Sequence, residues 1–169
     1  MKPKAIVYVS NTGHTASYAE LLSERIDLPA YTLAEAIEKL PKRCPVIFMG
    51  WIRAGKVKDY RKAERRFEIC VACGVGMAPG GMNADRLRKA TGVRDDIDLY
   101  AIPGGFELNK LSGITYSMMK KTVDKVAEDL KAKPQRTPDE EQMLTLMTKG
   151  GALIEPGRLD RLAEWYRKQ

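Results

Sequence analysis

Short apolar runs alternate with segments of helical periodicity through the first two thirds of the chain. Five runs predict strands, namely residues 4–9, 28–32, 45–50, 67–74 and 97–102. Their largely continuous apolar character is typical of a sheet that is covered on both faces. Between them, apolar residues recur every three or four positions and predict helices at residues 15–26, 33–40, 58–66 and 83–91. This alternation indicates parallel βαβ units and an α/β fold.

Five parallel strands in one open sheet are typical of the flavodoxin-type architecture, in which the strand order is 2-1-3-4-5. Because crossover connections are right-handed, helices are expected on both faces, which gives a three-layer sandwich. The same order places the loops after the first and third strands side by side at the switch point, where such sheets bind ligands. We therefore expect one flavodoxin-like α/β domain over residues 1–169, with extra helices near its C-terminal end.

The last third of the chain is helical and longer than this sheet requires. Residues 114–131 predict one helix, a second begins after Thr137, and residues 159–167 predict a third. The first of these carries an apolar stripe of Ile114, Met118, Val126 and Leu130. This helix is either the last crossover helix of the sheet or part of a helical insertion at about residues 106–157.

The net charge of +7 favours an anionic partner: nucleic acid, a phosphorylated ligand or the anionic inner surface of a membrane. A merely solvated basic surface is an equally good interpretation. The chain has three cysteines, an odd number that indicates a reducing compartment. No apolar run has the length of a signal-peptide core or a membrane span. We therefore expect a cytoplasmic protein.

The most informative stretch is SNTGHT, residues 10–15, which joins the first strand to the first helix and which we call the SNTGHT loop. Unpaired N–H groups at the start of a helix, together with the helix dipole, attract an anion and above all a phosphate. Gly13 permits close backbone approach, and three hydroxyls add donors. The loop has no lysine, so it lacks the Walker pattern for nucleoside triphosphates and favours a monophosphate. The alternative is that Ser10 or Thr12 only caps the helix.

The pattern Ser10-x-Thr12-Gly13-x-Thr15 resembles the FMN-phosphate loop of the flavodoxin family, which reads Thr/Ser-x-Thr-Gly-x-Thr. The resemblance implies that these four residues and the amide of His14 bind the phosphate of FMN. Many flavodoxins have asparagine where this chain has His14, and that side chain braces neighbouring loops. We expect the imidazole to brace in a similar way, to approach the phosphate as a cation, or simply to be solvated, without a catalytic role.

The loop after the third strand, residues 50–60, is the second candidate because it lies at the switch point. A flavin ring requires a flat wall and backbone amides that can hydrogen-bond its edge. Trp51 offers a stacking surface, and Arg53 offers a charge that offsets a reduced flavin. Ala54 and Gly55 leave the backbone exposed. Alternatively, Trp51 belongs to the core and Arg53 is a solvated side chain.

The loop after the last strand begins with Pro103-Gly104-Gly105, which predicts a turn whose backbone can be closely approached. The resemblance to flavodoxins makes this the other flavin-contacting loop. Phe106 offers a second ring face there, at a place where many flavodoxins have tyrosine.

One branch of the family is more similar still. The stretches Trp51-Ile52-Arg53-Ala54-Gly55-Lys56 and Pro103-Gly104-Gly105 and the closing segment MTKGGALIEPGRLDRLAEWYRK resemble the flavodoxin-like menaquinone-dependent protoporphyrinogen oxidases. Members of that branch carry a long insertion after the fifth strand and end with a helix, so we favour the insertion here. The resemblance adds Ile52 to the residues expected to bind the cofactor.

We therefore expect an FMN-binding protein in electron transfer or oxidoreduction, with a quinone, a redox partner protein or an anionic substrate such as protoporphyrinogen. Shuttle flavodoxins are strongly acidic, whereas this chain is basic, which favours a reaction at the inner surface of a membrane. An FMN-dependent oxidoreductase and a simple electron carrier both remain open. The alternative is a non-enzymatic flavodoxin-like domain that serves in binding or interaction, with weak or no flavin.

Two further patterns are less informative. Cys70-x-x-Cys73 lies in a predicted strand, where an odd separation places the thiols on opposite faces, so buried side chains are preferred to a redox pair. The basic run at residues 56–66 lacks a recognition motif and is interpreted as a solvated face or a docking surface for an acidic partner. We expect neither nucleic-acid binding nor a metal site.

Overall fold

Strands and helices alternate along the chain in the computed structural model, which describes residues 1–77, 83–110 and 113–169 without the side chains of Thr115 and Met118. The strands are β1 (Ala5–Val9), β2 (Ala30–Thr32), β3 (Pro45–Arg53), β4 (Lys56–Val57), β5 (Glu68–Gly76), β6 (Asp98–Pro103), β7 (Gly105–Phe106) and β8 (Gly151–Ala152). The α-helices are α1 (His14–Ile26), α2 (Leu33–Lys39), α3 (Tyr60–Arg66), α4 (Ala84–Thr91), α5 (Gly113–Ala132), α6 (Pro138–Lys149) and α7 (Asp160–Arg167). Two short 3₁₀ helices span Leu108–Lys110 and Pro156–Leu159.

The main sheet contains five parallel strands in the order β2-β1-β3-β5-β6. The short β4 pairs with β3 alone and runs antiparallel to it. When β4 is left out, the strand order is the 2-1-3-4-5 that the alternation of strands and helices predicts. The α/β class, the parallel sheet and its order are therefore confirmed.

Each face of the sheet has its own apolar core, because neighbouring residues of a strand lie on opposite faces. Val7 and Phe48 belong to a core to which α2, α3 and α4 contribute. Ile6 and Ile47 belong to a second core, to which α1 and α7 contribute. Helices therefore cover both faces, and α7 packs on the sheet beside α1.

The third strand is longer than predicted. β3 continues through residues 51–53 and turns back into β4, so this segment is a β-hairpin and the prediction of a loop is wrong. Ala54 and Gly55 form its tip with φ of 49° and 75°, and a type I′ turn requires positive φ at both positions. The N–H of Val57 donates to Oγ1 of the buried Thr91 at 3.0 Å, which ties the hairpin to α4.

β5 carries an additional residue, Cys70, where its register against β3 shifts. This bulge interrupts the alternation of side chains, so the argument that placed Cys70 and Cys73 on opposite faces does not hold across it. Burial raises the pKa of both thiols, that of Cys73 to about 12. Neither thiol is an ionised nucleophile at neutral pH, and both cysteines are free.

Residues between β7 and β8 leave the sheet as two packed helices, which we call the α5–α6 pair (residues 113–149). Because β7 pairs antiparallel with β8, the chain segment that contains this pair begins and ends at neighbouring positions. Phe106 shares a third apolar cluster with Val123, Ala127 and Met147 of the pair.

The apolar stripe predicted for α5 is only partly buried. Leu130 is buried, and Val126 packs against the third cluster. Ile114, however, is 81% exposed, so it does not belong to the packed part of this stripe. The side chain of Met118 lies outside the described residues.

Candidate functional site

A cavity of about 400 Å³ opens at the carboxyl ends of β1, β3, β5 and β6. Parallel strands present these ends at one edge, which is where the strand order predicts a ligand site. The predicted site residues that line the cavity are Ser10, Thr12, His14, Thr15, Trp51, Ile52, Arg53, Ala54, Gly104, Gly105 and Phe106. The structure thus brings the three predicted segments together around one space.

Three predicted site residues are not part of the cavity lining. Gly13 is the N-cap of α1, with a φ of 97° that favours glycine. Gly55 lies in the turn of the β3–β4 hairpin. Pro103 is the last residue of β6, not part of a turn, and its carbonyl oxygen accepts a hydrogen bond from the hydroxyl of Tyr18 at 2.8 Å.

The lining also includes residues that sequence reasoning missed, namely Asn11, Val75, Gly76, Met77, Met119 and Thr122. Val75 to Met77 follow from the strand order, because β5 lies between β3 and β6 and must end at the same edge. Residues 78–82, which come next, lie outside the described residues. Met119 and Thr122 belong to α5, and no local signal predicts that this helix reaches the cavity.

The N-terminus of α1 is open towards a ligand. Gly13 occupies the N-cap position and no side chain among the described residues caps the helix, so the alternative that Ser10 or Thr12 serves only as a cap is wrong. Within the described part of the chain, the buried Oγ of Ser10 has no hydrogen-bond partner. A buried hydroxyl without a partner is costly unless a ligand or water completes it. The loop therefore combines unpaired helix amides with an unsatisfied donor.

His14 is buried, with 7% of its surface exposed, so the interpretation of a solvated imidazole is wrong. Its Nε2 lies 3.4 Å from Oε2 of Glu107, which belongs to the segment between β7 and α5. Burial lowers the pKa of His14, with Glu107 acting against that shift and Lys110 reinforcing it. The imidazole is therefore neutral at pH 7, which disfavours its approach to a phosphate as a cation. Its contact with Glu107 instead connects the SNTGHT loop, which lines the cavity, to the segment that follows the cavity-lining Phe106.

Trp51 and Arg53 lie close to the turn of the β3–β4 hairpin. Trp51 is half-buried and lines the cavity, so it is not a wholly enclosed core residue. The guanidinium of Arg53 lies 5.9 Å from the centroid of the Trp51 ring, within the range of a cation–π contact. The pair presents a flat ring and a cation at one side of the cavity.

Phe106 has a different role from that of an open ring face. It lines the cavity but is only 7% exposed, because it packs with Val123, Ala127 and Met147. The two preceding glycines are required by chain packing: a Cβ at Gly104 would overlap Val75, and one at Gly105 would overlap the β8 backbone. These glycines therefore allow close approach between strands, whatever else they contact.

The arrangement suits a ligand that joins an anionic group to a flat, largely apolar body. Among the described residues, no group of three or more His, Cys, Asp and Glu side chains is placed to hold a metal ion. In the same part of the chain, no helix has both the length and the apolar character needed to cross a bilayer. A scan against models of known protein families and a search of curated proteins found no match to this chain.

Proposed function

We propose that this chain is a flavodoxin-like, FMN-binding protein that takes part in electron transfer or oxidoreduction. The observation that carries the proposal is that the uncapped, hydroxyl-rich start of α1 and the half-buried ring of Trp51 line one cavity. A strand order of 2-1-3-4-5 with helices on both faces supports the flavodoxin-like assignment.

The SNTGHT loop is the proposed phosphate site. Unpaired amides of the first turn of α1 and the hydroxyls of Ser10, Thr12 and Thr15 supply donors without a fixed cation in the loop. The Oγ of Ser10, which has no hydrogen-bond partner among the described residues, fits this role, because a phosphate oxygen would complete its hydrogen bonding. Gly13 keeps the N-cap free of a Cβ, and the space above it is open.

The isoalloxazine ring is proposed to lie between the β3–β4 hairpin and the carboxyl ends of β5 and β6. A cavity of about 400 Å³ falls within the range of small-molecule sites. Trp51 offers the stacking surface, while Ile52, Val75 and Met77 line the cavity with apolar atoms. When bound, FMN supplies one-electron and two-electron transfer. Arg53 places a positive charge where it would offset the negative charge of a reduced ring.

The second reactant is proposed to be a quinone or an anionic substrate such as a porphyrin carboxylate. A net charge of +7 favours an anionic substrate or a membrane surface over the role of a soluble electron carrier, since shuttle flavodoxins are strongly acidic. Met119 and Thr122 of α5 complete the cavity, so the α5–α6 pair would contact whatever enters beside the flavin.

The binding proposal is tested with the two tryptophans of the chain, Trp51 and Trp165. In a Trp165→Phe variant, FMN at micromolar concentration is expected to quench most of the remaining Trp51 emission, and the flavin fluorescence should fall as well. In the matched Trp51→Phe variant, the emission of Trp165, which packs on the opposite side of the sheet from α3 and α4, should change much less. If the unaltered chain binds no FMN at this concentration, the flavin-free interaction domain becomes the better proposal.

The reaction is tested by oxidation of protoporphyrinogen with a menaquinone analogue as acceptor. Turnover that depends on added FMN supports the quinone-linked oxidoreductase. FMN binding without turnover restricts the proposal to an electron carrier or to an enzyme with another substrate.

A further inference from the structure

A lysine from the segment before α5 reaches the SNTGHT loop. Lys110 Nζ lies 3.5 Å from the carbonyl oxygen of Thr12, although the two residues are 98 positions apart. The same nitrogen lies 2.7 Å from Oε2 of Glu107, with which it forms an ion pair. The side chain of Lys110 is 55% exposed, so it is free to change partner.

The position of this lysine matters because the loop itself contains no lysine or arginine. Helix amides and hydroxyls stabilise an anion, but a charge-assisted hydrogen bond is roughly twice as strong as a neutral one. Lys110 brings a full positive charge to a loop whose other donors are neutral. The buried, unpartnered Oγ of Ser10 lies in the same loop and marks the space that an anion would enter.

Glu107 controls how available this charge is. Its Oε2 lies between Lys110 at 2.7 Å and the imidazole Nε2 of His14 at 3.4 Å. Since His14 is neutral at pH 7, Lys110 is the group that balances the carboxylate. An anion in the loop would therefore compete with Glu107 for the same ammonium group.

We propose that Lys110 is a specificity-determining residue of the site, which moves from Glu107 to the ligand's monophosphate and makes the chain select FMN over riboflavin. The inference rests on the proposed function and adds to it a residue outside the SNTGHT loop. Lys110 lies just before α5, whose Met119 and Thr122 line the cavity. Phosphate binding would thus also fix the start of the α5–α6 pair at the open side of the ligand.

The first test compares the dissociation constants of FMN and riboflavin for the full chain and for Lys110→Ala. FMN binding is expected to weaken about tenfold, as for the loss of one charge-assisted hydrogen bond, whereas riboflavin binding stays within about twofold. Lys39→Ala is the matched control, because Lys39 has a similar exposure of 54% and pairs with Glu35 on α2. It should change neither constant, and Lys110→Arg should retain most of the preference.

The second test asks whether a substitution of Glu107 strengthens or weakens FMN binding. Glu107→Gln removes the competitor, so FMN should bind several-fold more tightly while riboflavin binding is unchanged. If the ion pair only held the chain in shape, Glu107→Gln and Lys110→Ala would weaken both flavins alike.

The outcomes separate the two proposals. FMN binding that is insensitive to Lys110→Ala, or an equal loss for FMN and riboflavin, overturns the role of Lys110 and leaves FMN binding standing. If the unaltered chain binds neither flavin, the proposed function fails and the inference fails with it.

Discussion

The sheet and the α5–α6 pair line the same cavity, but different amounts of buried apolar surface hold them in place. The sheet is enclosed by two cores whose central members, such as Ile47 and Phe48, are fully buried. The α5–α6 pair depends on one small cluster around Phe106, Val123 and Met147, which remain 4 to 8% exposed. One wall of the cavity is therefore fixed by the global fold, and the other by a few local contacts.

This difference in buried apolar surface predicts a difference in the free energy of local unfolding. Elements with few buried apolar contacts open locally at a lower free energy than the central strands. The SNTGHT loop and the ends of β3 and β5 are attached to the more stable region, whereas Met119 and Thr122 belong to the less stable one. We therefore expect the α5–α6 pair to open at a lower free energy than the sheet and the SNTGHT loop.

The largest expected effect comes from one substitution made in both regions. Met49→Ala, in the fully buried centre of β3, should lower the free energy of global unfolding by about 3 kcal/mol. Met147→Ala, in the third cluster, should lower that free energy by less than about 1 kcal/mol, because α6 can open while the sheet stays folded. Urea unfolding measures the first quantity, and amide hydrogen exchange should show faster exchange confined to α5 and α6 in the second variant. Equal losses of global stability would mean that both regions unfold as one unit.

A smaller effect is expected at a hydroxyl that connects α1 to residues on either side of the α5–α6 pair. The fully buried Tyr18 of α1 lies with its hydroxyl oxygen 2.8 Å from the Pro103 carbonyl and 3.1 Å from the Leu153 carbonyl, and it accepts the N–H of Glu155 at 3.1 Å. Tyr18→Phe leaves these backbone groups without this partner and should cost about 1–2 kcal/mol. Thermal unfolding measures the cost, with Tyr166→Phe on α7 as the control.

Tyr18→Phe should also change local amide hydrogen exchange. Because Pro103 ends β6 and Leu153 follows β8, amides near β7 and β8 should exchange faster in this variant. If protection from hydrogen exchange decreases only within α1, the hydroxyl stabilises its own helix and not the β7–β8 pairing.

The smallest expected effect is a difference in pH dependence at the contact of His14 with Glu107, which lies before the α5–α6 pair. Burial lowers the pKa of His14 from its ordinary 6.5, so the unfolded chain takes up a proton at a higher pH than the folded chain does. The stability that this group confers is complete above pH 6.5 and is lost as the pH falls from 6.5 towards the lower folded pKa. The free energy of unfolding should therefore fall more steeply with acidification in the parent than in His14→Asn. Parallel profiles of the two chains would show that burial does not shift this imidazole.

Local sequence signals predict most of the sheet. Continuous apolar runs locate the five parallel strands, and Gly92 and Thr137 mark a helix end and a helix start where the structure has them. The hairpin is missed because Ala54-Gly55 is not one of the usual type I′ pairs, although Ala54 adopts a φ of 49°. The pairing of β7 with β8 is missed because two-residue strands far apart in the chain carry no periodic signal.

The same limit applies to the site. Turn chemistry and strand order identify the SNTGHT loop and the end of β3, because both depend on neighbours in the sequence or on topology. The contact of Lys110 with Thr12 and the arrival of Met119 at the cavity depend on how the α5–α6 pair folds back over the sheet. The burial of Phe106 in the third cluster also depends on this folding of the α5–α6 pair. The sequence therefore predicts that Phe106 lies at the cavity but does not predict which side chains pack against it.

The antiparallel pairing of β7 with β8 has a consequence for how this chain can vary. Gly105 lies opposite Ala152 and Phe106 opposite Gly151. The two ends of the segment that contains the α5–α6 pair are therefore held together by strand pairing, independently of how the pair itself packs. Loop-closure entropy grows only with the logarithm of length, at about 0.6 kcal/mol for each doubling. Insertions or deletions between these strands therefore cost the sheet little, whereas the SNTGHT loop has no such freedom. The size of the cavity can therefore change while the SNTGHT loop stays the same.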